Sequence, residues 1–148
     1  NALFLRSRKW KSLIVPWVTY TDPEIAHVGL YVKDANEKGI KTDTYIQQFD
    51  SVDRSILDGE TEGFIKVHTK KGKDTIVGAT IVARHAGEMI SEITTAMYAG
   101  KGLKTLANVI HPYPTQALGL KQVAGQVYAG MLTDRRKRLL ERFFALKR

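Results

Sequence analysis

Cysteine is absent from these 148 residues. That excludes disulfides, thiolate metal sites and cysteine redox chemistry within them, while leaving the compartment open. No apolar run approaches the roughly 20 residues that a membrane-spanning helix needs. Residues 1–11 mix Leu and Phe with Arg and Lys and hold no continuous apolar stretch, so they do not read as a signal peptide. Phosphate cradles are missing too: the chain has no G-x-G-x-x-G and no G-x-x-x-x-G-K-[ST], nor a G-x-S-x-G nucleophile elbow. Ser51, Ser55 and Ser91 have no assignable base. The histidines, His27, His68, His85 and His111, never fall three or four residues apart, the spacing of helix-borne metal ligands. His85, Glu88 and Glu92 have helix-like spacing, but a helix dipole accounts for acids in a first turn. No metal site is expected. What remains favours an interface module over a self-sufficient enzyme.

The length suits one domain with a real core, and an apolar fraction of 43% with 26% charged residues is ordinary for a globular protein. The net charge of +8 is uneven. It gathers at Arg6, Arg8, Lys9 and Lys11, in the turn Lys70, Lys71 and Lys73, and from Arg135 to Arg148. Clusters at chain ends and turns are ordinarily solvated; a basic nucleic-acid-binding α+β domain stands as the alternative reading, and a membrane-surface helix over 135–148 as a weaker one.

Along the chain, Leu13–Thr21 reads as a strand, with Pro16 confining it to a sheet edge or delaying its start. Asp22-Pro23-Glu24 is a turn, and 25–30 a short apolar segment. Residues 31–38 read as a helix stopped by Gly39, and 42–49 as a second strand. A short turn or single helical turn over 52–57 and a loop over 59–63 follow. Strands 64–69 and 75–84 flank the hairpin loop Lys70–Asp74, and Gly78 marks a bulge or a close backbone approach. The clearest helix is 87–98, with Met89, Ile90, Ile93, Ala96 and Met97 on one face. Helices 103–108 and 115–129 follow, the latter with Leu118, Val123, Val127 and Tyr128 inward. Thr133 or Asp134 caps a last helix bearing Leu139, Leu140, Phe143, Phe144 and Leu146. Strands followed by helices predict an α+β domain, an antiparallel sheet with helices packed on it.

One stretch stands out. Val109-Ile110-His111-Pro112-Tyr113-Pro114-Thr115-Gln116-Ala117-Leu118 is a stiff, aromatic turn leading into a helix. Together with Pro16–Leu30, Val52-Asp53-Arg54, Leu57–Phe64, Gly78–Val82 and His85–Ile93, it resembles the C-terminal dimerisation domain of the pyridine nucleotide-disulfide oxidoreductases, nearest to the mercuric-reductase-like members. The resemblance implies the dimerisation-domain fold of FAD/NAD(P)-linked reductases and a cytoplasmic homodimer. Residues 16–148 would form that domain, and 1–15 the tail of a connection from FAD and NAD(P) domains. A chain that starts at Asn1 rather than Met is expected to be a piece of a longer protein. The intact protein would bind FAD and NAD(P); this domain alone would bind neither and be inactive.

In that family the turn reads His-Pro-Thr-x-x-Glu: the histidine serves the interchange thiol as acid and base, and the glutamate orients it. Pro114-Thr115 sets the register here, with Tyr113 at the histidine position and Leu118 at the glutamate position. The other register, through His111-Pro112, leaves Gln116 for the acid. By resemblance, Tyr113 and Pro114 contact the partner's flavin, and Tyr113–Pro114 is a candidate cis peptide. A phenol, with a reference pKa of about 10, is a poor base near neutrality. Dithiol–disulfide reduction of the glutathione or lipoamide type is therefore not expected, nor mercury delivery by a cysteine-bearing tail. Tyr113 is the candidate at the catalytic position and His111 a secondary one, with a packing histidine as the plainer reading of the latter.

Overall fold

The computed structural model describes residues 13–129 and 134–145, so residues 1–12 of the expected connection, the proposed cap Thr133 and Leu146 lie outside the described residues. Five antiparallel strands form one sheet: β1 (Trp17–Thr19), β2 (Glu24–Gly29), β3 (Thr42–Gln48), β4 (Phe64–Lys70) and β5 (Ile76–Ala83), in the order β1-β2-β5-β4-β3. Helices α1 (Val32–Glu37) and α2 (Asp53–Asp58) interrupt the strands. After them come α3 (Ala86–Tyr98), α4 (Leu103–Asn108), α5 (Leu118–Ala129) and α6 (Asp134–Ala145). The α+β architecture is the one expected.

Alternation along each strand sorts side chains between two faces. Ala26 and Val28, Ile65 and Val67, and Ala79 and Ile81 point to the helices. There they meet Met89, Ile90 and Ile93 of α3, Leu103 and Leu106 of α4, and Leu120, Val123, Ala124 and Val127 of α5 in one core. The other face carries His27, paired across β2–β5 with Thr80, and His68, paired across β3–β4 with Thr44. Both imidazoles are nearly sealed, at 2% and 4% exposure. Tyr31 stacks on the His27 ring at 3.8 Å between centroids.

Several boundaries differ from the sequence reading. The first strand shortens to Trp17–Thr19, because Pro16 offers no amide and only three residues pair with Ile25–His27. The apolar segment after Pro23 is a full strand, and Phe49 leaves β3 to begin a 3-10 turn, Phe49–Ser51. Gly78 shows both expected features: the β4–β5 register shifts between His68 and Thr69, and a Cβ at position 78 would collide with the Leu30 backbone.

The helix expected from Thr115 begins at Leu118. Its entrance is wound tightly, with i to i−3 bonds from the amides of Leu118, Gly119 and Leu120 to the carbonyls of Thr115, Gln116 and Ala117. Leu118 ends half-buried and Tyr128 exposed, while Gly119, Leu120 and Ala124 join Val123 and Val127 inside. A Cβ at Gly119 would stand 2.9 Å from Ile65 Cδ1, so a larger residue there would force that methyl to shift.

Candidate functional site

The turn Val109–Leu118 leaves α4 and enters α5, two helices that pack on each other, so its two ends are fixed. The Tyr113–Pro114 peptide is cis, as is Asp22–Pro23. Thr115 Oγ1 donates to the Pro112 carbonyl at 2.9 Å and closes the turn on itself. Its exposed surface is largely apolar: Ile110 is 89% exposed and Tyr113 70%.

Three of the turn's polar side chains land on three carboxylates from three parts of the chain. His111 Nε2 lies 3.0 and 3.2 Å from the two oxygens of Glu92 on α3, and its Nδ1 faces the Val109 carbonyl at 3.3 Å. The imidazole is only 5% exposed. Tyr113 Oη donates to Asp53 Oδ2 at 2.9 Å, reaching the first residue of α2. Gln116 Nε2 donates to Glu60 Oε2 at 2.6 Å, and Glu60 is also held by Arg84 at 2.9 Å.

The two candidate residues thus sit in different settings. Tyr113 stands at the exposed tip, where the hydrogen bond to Asp53 and that carboxylate's charge push the phenol above its usual range. His111 lies behind it with both ring nitrogens against acceptors, which suits a clamp between the turn and α3. Gln116, the acid-position residue of the other register, is buried against Glu60. Leu118 has no hydrogen-bonding side-chain atom.

Asp53, Glu60 and Glu92 had no signal as partners in the sequence. They lie 60, 56 and 19 residues from the side chains they hold, beyond any local periodicity. Glu24 was missed in the same way: its Oε2 accepts the Gly87 amide at 2.9 Å, in the first turn of α3. Among the described residues no group of three or more His, Asp or Glu could hold a metal ion, and no helix is long and apolar enough to cross a membrane. A shallow opening of about 510 Å³ near Asp43, Lys73 and Lys104 lies at the other end of β3 from α2.

The family model for the pyridine nucleotide-disulphide oxidoreductase dimerisation domain matches residues 15–124. A mercuric reductase from Staphylococcus aureus is 39% identical over 124 residues, covering 84% of this chain and 23% of that protein. A dihydrolipoyl dehydrogenase from Buchnera aphidicola is 34% identical over 121 residues, covering 82% of this chain and 25% of that protein. The chain therefore spans about a quarter of the length of these curated relatives. Among solved structures, LpdA from Mycobacterium tuberculosis superposes with a TM-score of 0.77 at 22% identity, covering 85% of this chain and 28% of that one. The HOCl-induced flavoprotein disulfide reductase RclA from Escherichia coli gives 0.77 at 21% identity, covering 83% and 28%. Nothing in these comparisons supports a nucleic-acid module. By sequence and by fold, the chain belongs to the dimerisation-domain family of the pyridine nucleotide-disulphide oxidoreductases.

Proposed function

We propose that residues 16–148 are the homodimerising part of a FAD- and NAD(P)-dependent reductase and that residues 1–15 belong to the connection from its nucleotide-binding domains. The turn then carries Tyr113 and Pro114 to the partner subunit's flavin and redox site. The observation that carries this reading is the turn itself. It exposes Ile110 and Tyr113 to solvent while carboxylates on α2, on α3 and in the loop after α2 hold its polar side chains. An apolar surface held that firmly is suited to a protein interface. Leu57, 71% exposed on α2, extends the apolar surface of the helix to which Tyr113 is bonded.

Subunit complementation in the full-length reductase tests the assignment. One subunit carries Tyr113→Phe and the other lacks the redox cysteines of its upstream domains. If the turn serves the partner, the first subunit's flavin site receives an intact Tyr113 and the mixed dimer recovers one working site. If each turn serves its own flavin, the mixed dimer shows no more activity than either parent, which refutes the proposal. Light scattering of the 148-residue chain is expected to show a dimer.

A further inference from the structure

We infer that Asp53 is the positioning residue for Tyr113: from α2 it supplies the carboxylate that position 118 lacks, and it decides which side of the phenol is offered to a ligand. The inference rests on the reading of the turn as an interface element.

Leu118 opens α5 and has nothing with which to orient a neighbouring hydroxyl. Tyr113 turns instead to Asp53, a partner 60 residues away. Asp53 stands on fixed ground, because Val52 before it and Ser55 after it are fully buried. The Ile56 amide closes the first turn of α2 on the Val52 carbonyl at 3.1 Å, and Gly59 ends the helix in the left-handed conformation. The turn is held independently through His111–Glu92 and Gln116–Glu60, so Tyr113 Oη is brought to Asp53 by a backbone secured on both sides.

An exposed pair of this kind stabilises a fold little. Its consequence is directional. A phenol has one proton to donate and lone pairs with which to accept. With the proton committed to Asp53, only lone pairs remain for an incoming group. A protonated thiol or a hydroxyl can donate to them. A thiolate cannot, unless the Asp53 bond is released first. The carboxylate also makes the phenol harder to ionise, so the proton stays on oxygen. The tip of the turn is thereby set to receive a hydrogen-bond donor, a hydroxyl or a protonated thiol, and not an anion.

The test uses the 148-residue chain labelled with [13Cζ]-tyrosine, with Tyr113→Phe assigning one resonance among the six tyrosines. In the unsubstituted chain Tyr113 should titrate above the reference value of about 10, and in Asp53→Ala it should fall back to it. Asp53→Asn retains an acceptor but not the charge, so it should lower the titration while preserving ring contacts to α2 in NOE spectra. Glu92→Gln should leave the Tyr113 titration where it was. Identical titration and ring contacts in the unsubstituted and Asp53→Ala chains would overturn the inference. These readings involve no flavin. If they hold while complementation fails, Asp53 orients Tyr113 for a ligand other than the partner's flavin; if they fail while complementation succeeds, the interface reading stands without Asp53.

Discussion

Lowering the pH from 8 to 5 should weaken the fold through two histidines that the sheet keeps neutral. Burial lowers the His27 pKa, partly offset by its hydrogen bond to the Gly29 carbonyl and by Asp34. Burial also lowers that of His68, helped by the charge of Lys66 and by His27. The His27 contacts fit a neutral ring: the Gly29 carbonyl can only accept, from Nε2–H at 3.2 Å, which leaves Nδ1 to accept from the Thr80 hydroxyl at 2.9 Å. An unfolded imidazole takes up its proton near pH 6.5, and the folded ones do so only at lower pH. Between those two values the unfolded chain holds more protons, so stability rises with pH across that window. The contribution is complete above the unfolded pKa, declines as pH falls through it, and levels off below the folded value. Each histidine can add a slope of up to about 1.4 kcal/mol per pH unit, and at pH 5 the loss is at most about 2 kcal/mol per group. Together that is at most about 4 kcal/mol, a large share of a typical stability of about 5–15 kcal/mol. Urea unfolding followed by tryptophan fluorescence at half-unit pH steps measures it. The control is the His27→Gln/His68→Gln chain, which shares every carboxylate and should show a flatter profile between pH 5 and 6.5. The quantity compared is the slope, since the lost stacking on Tyr31 lowers the overall level. Equal slopes in the two chains would refute the assignment of the pH dependence to these rings.

Other substitutions test the packing and the turn. Ile93→Ala removes a fully buried side chain of α3 from the centre of the core and should cost about 2–5 kcal/mol in chemical denaturation. Gly59→Ala and Gly78→Ala separate two reasons for glycine. Position 59 has φ +69° and open space around it, so alanine should cost about 1–2 kcal/mol, whereas at position 78 a Cβ meets the Leu30 backbone and the loss should be larger. Tyr113→Phe should change stability by less than about 1 kcal/mol, because the bond to Asp53 is solvent-exposed. A larger change in thermal unfolding would mean that the Tyr113–Asp53 bond supports the fold.

The parts of the fold that were readable in the sequence are those governed by local rules. The hairpin of β4 and β5 was legible because Gly72, at φ +69°, sits in the loop between two β-branched runs. The helix α3 was legible because its buried residues, Met89, Ile90, Ile93 and Ala96, keep strict helical spacing. The inner face of α5 was legible at Val123 and Val127, but its start was not: residues 115–117 form tight i to i−3 turns, and Leu118 ends half-buried. The site divides in the same way. Tyr113 and Pro114 could be singled out from a contiguous motif, whereas Asp53, Glu60 and Glu92 become neighbours of the turn only when the sheet brings distant segments together.

The strand order also carries a consequence for synthesis. β3, β4 and β5 follow one another as a meander, but β2 finds its inner neighbour only in β5, with pairs running from Gly29–Gly78 to Glu24–Ala83. A ribosome delivering about 5–20 residues per second completes the β2 partner several seconds after β2 itself. During that interval Ala26 and Val28 have no sheet to enter, and only the three-residue β1 can shield one side of the strand. The N-terminal part of this domain therefore completes its sheet pairing only after β5 has been made.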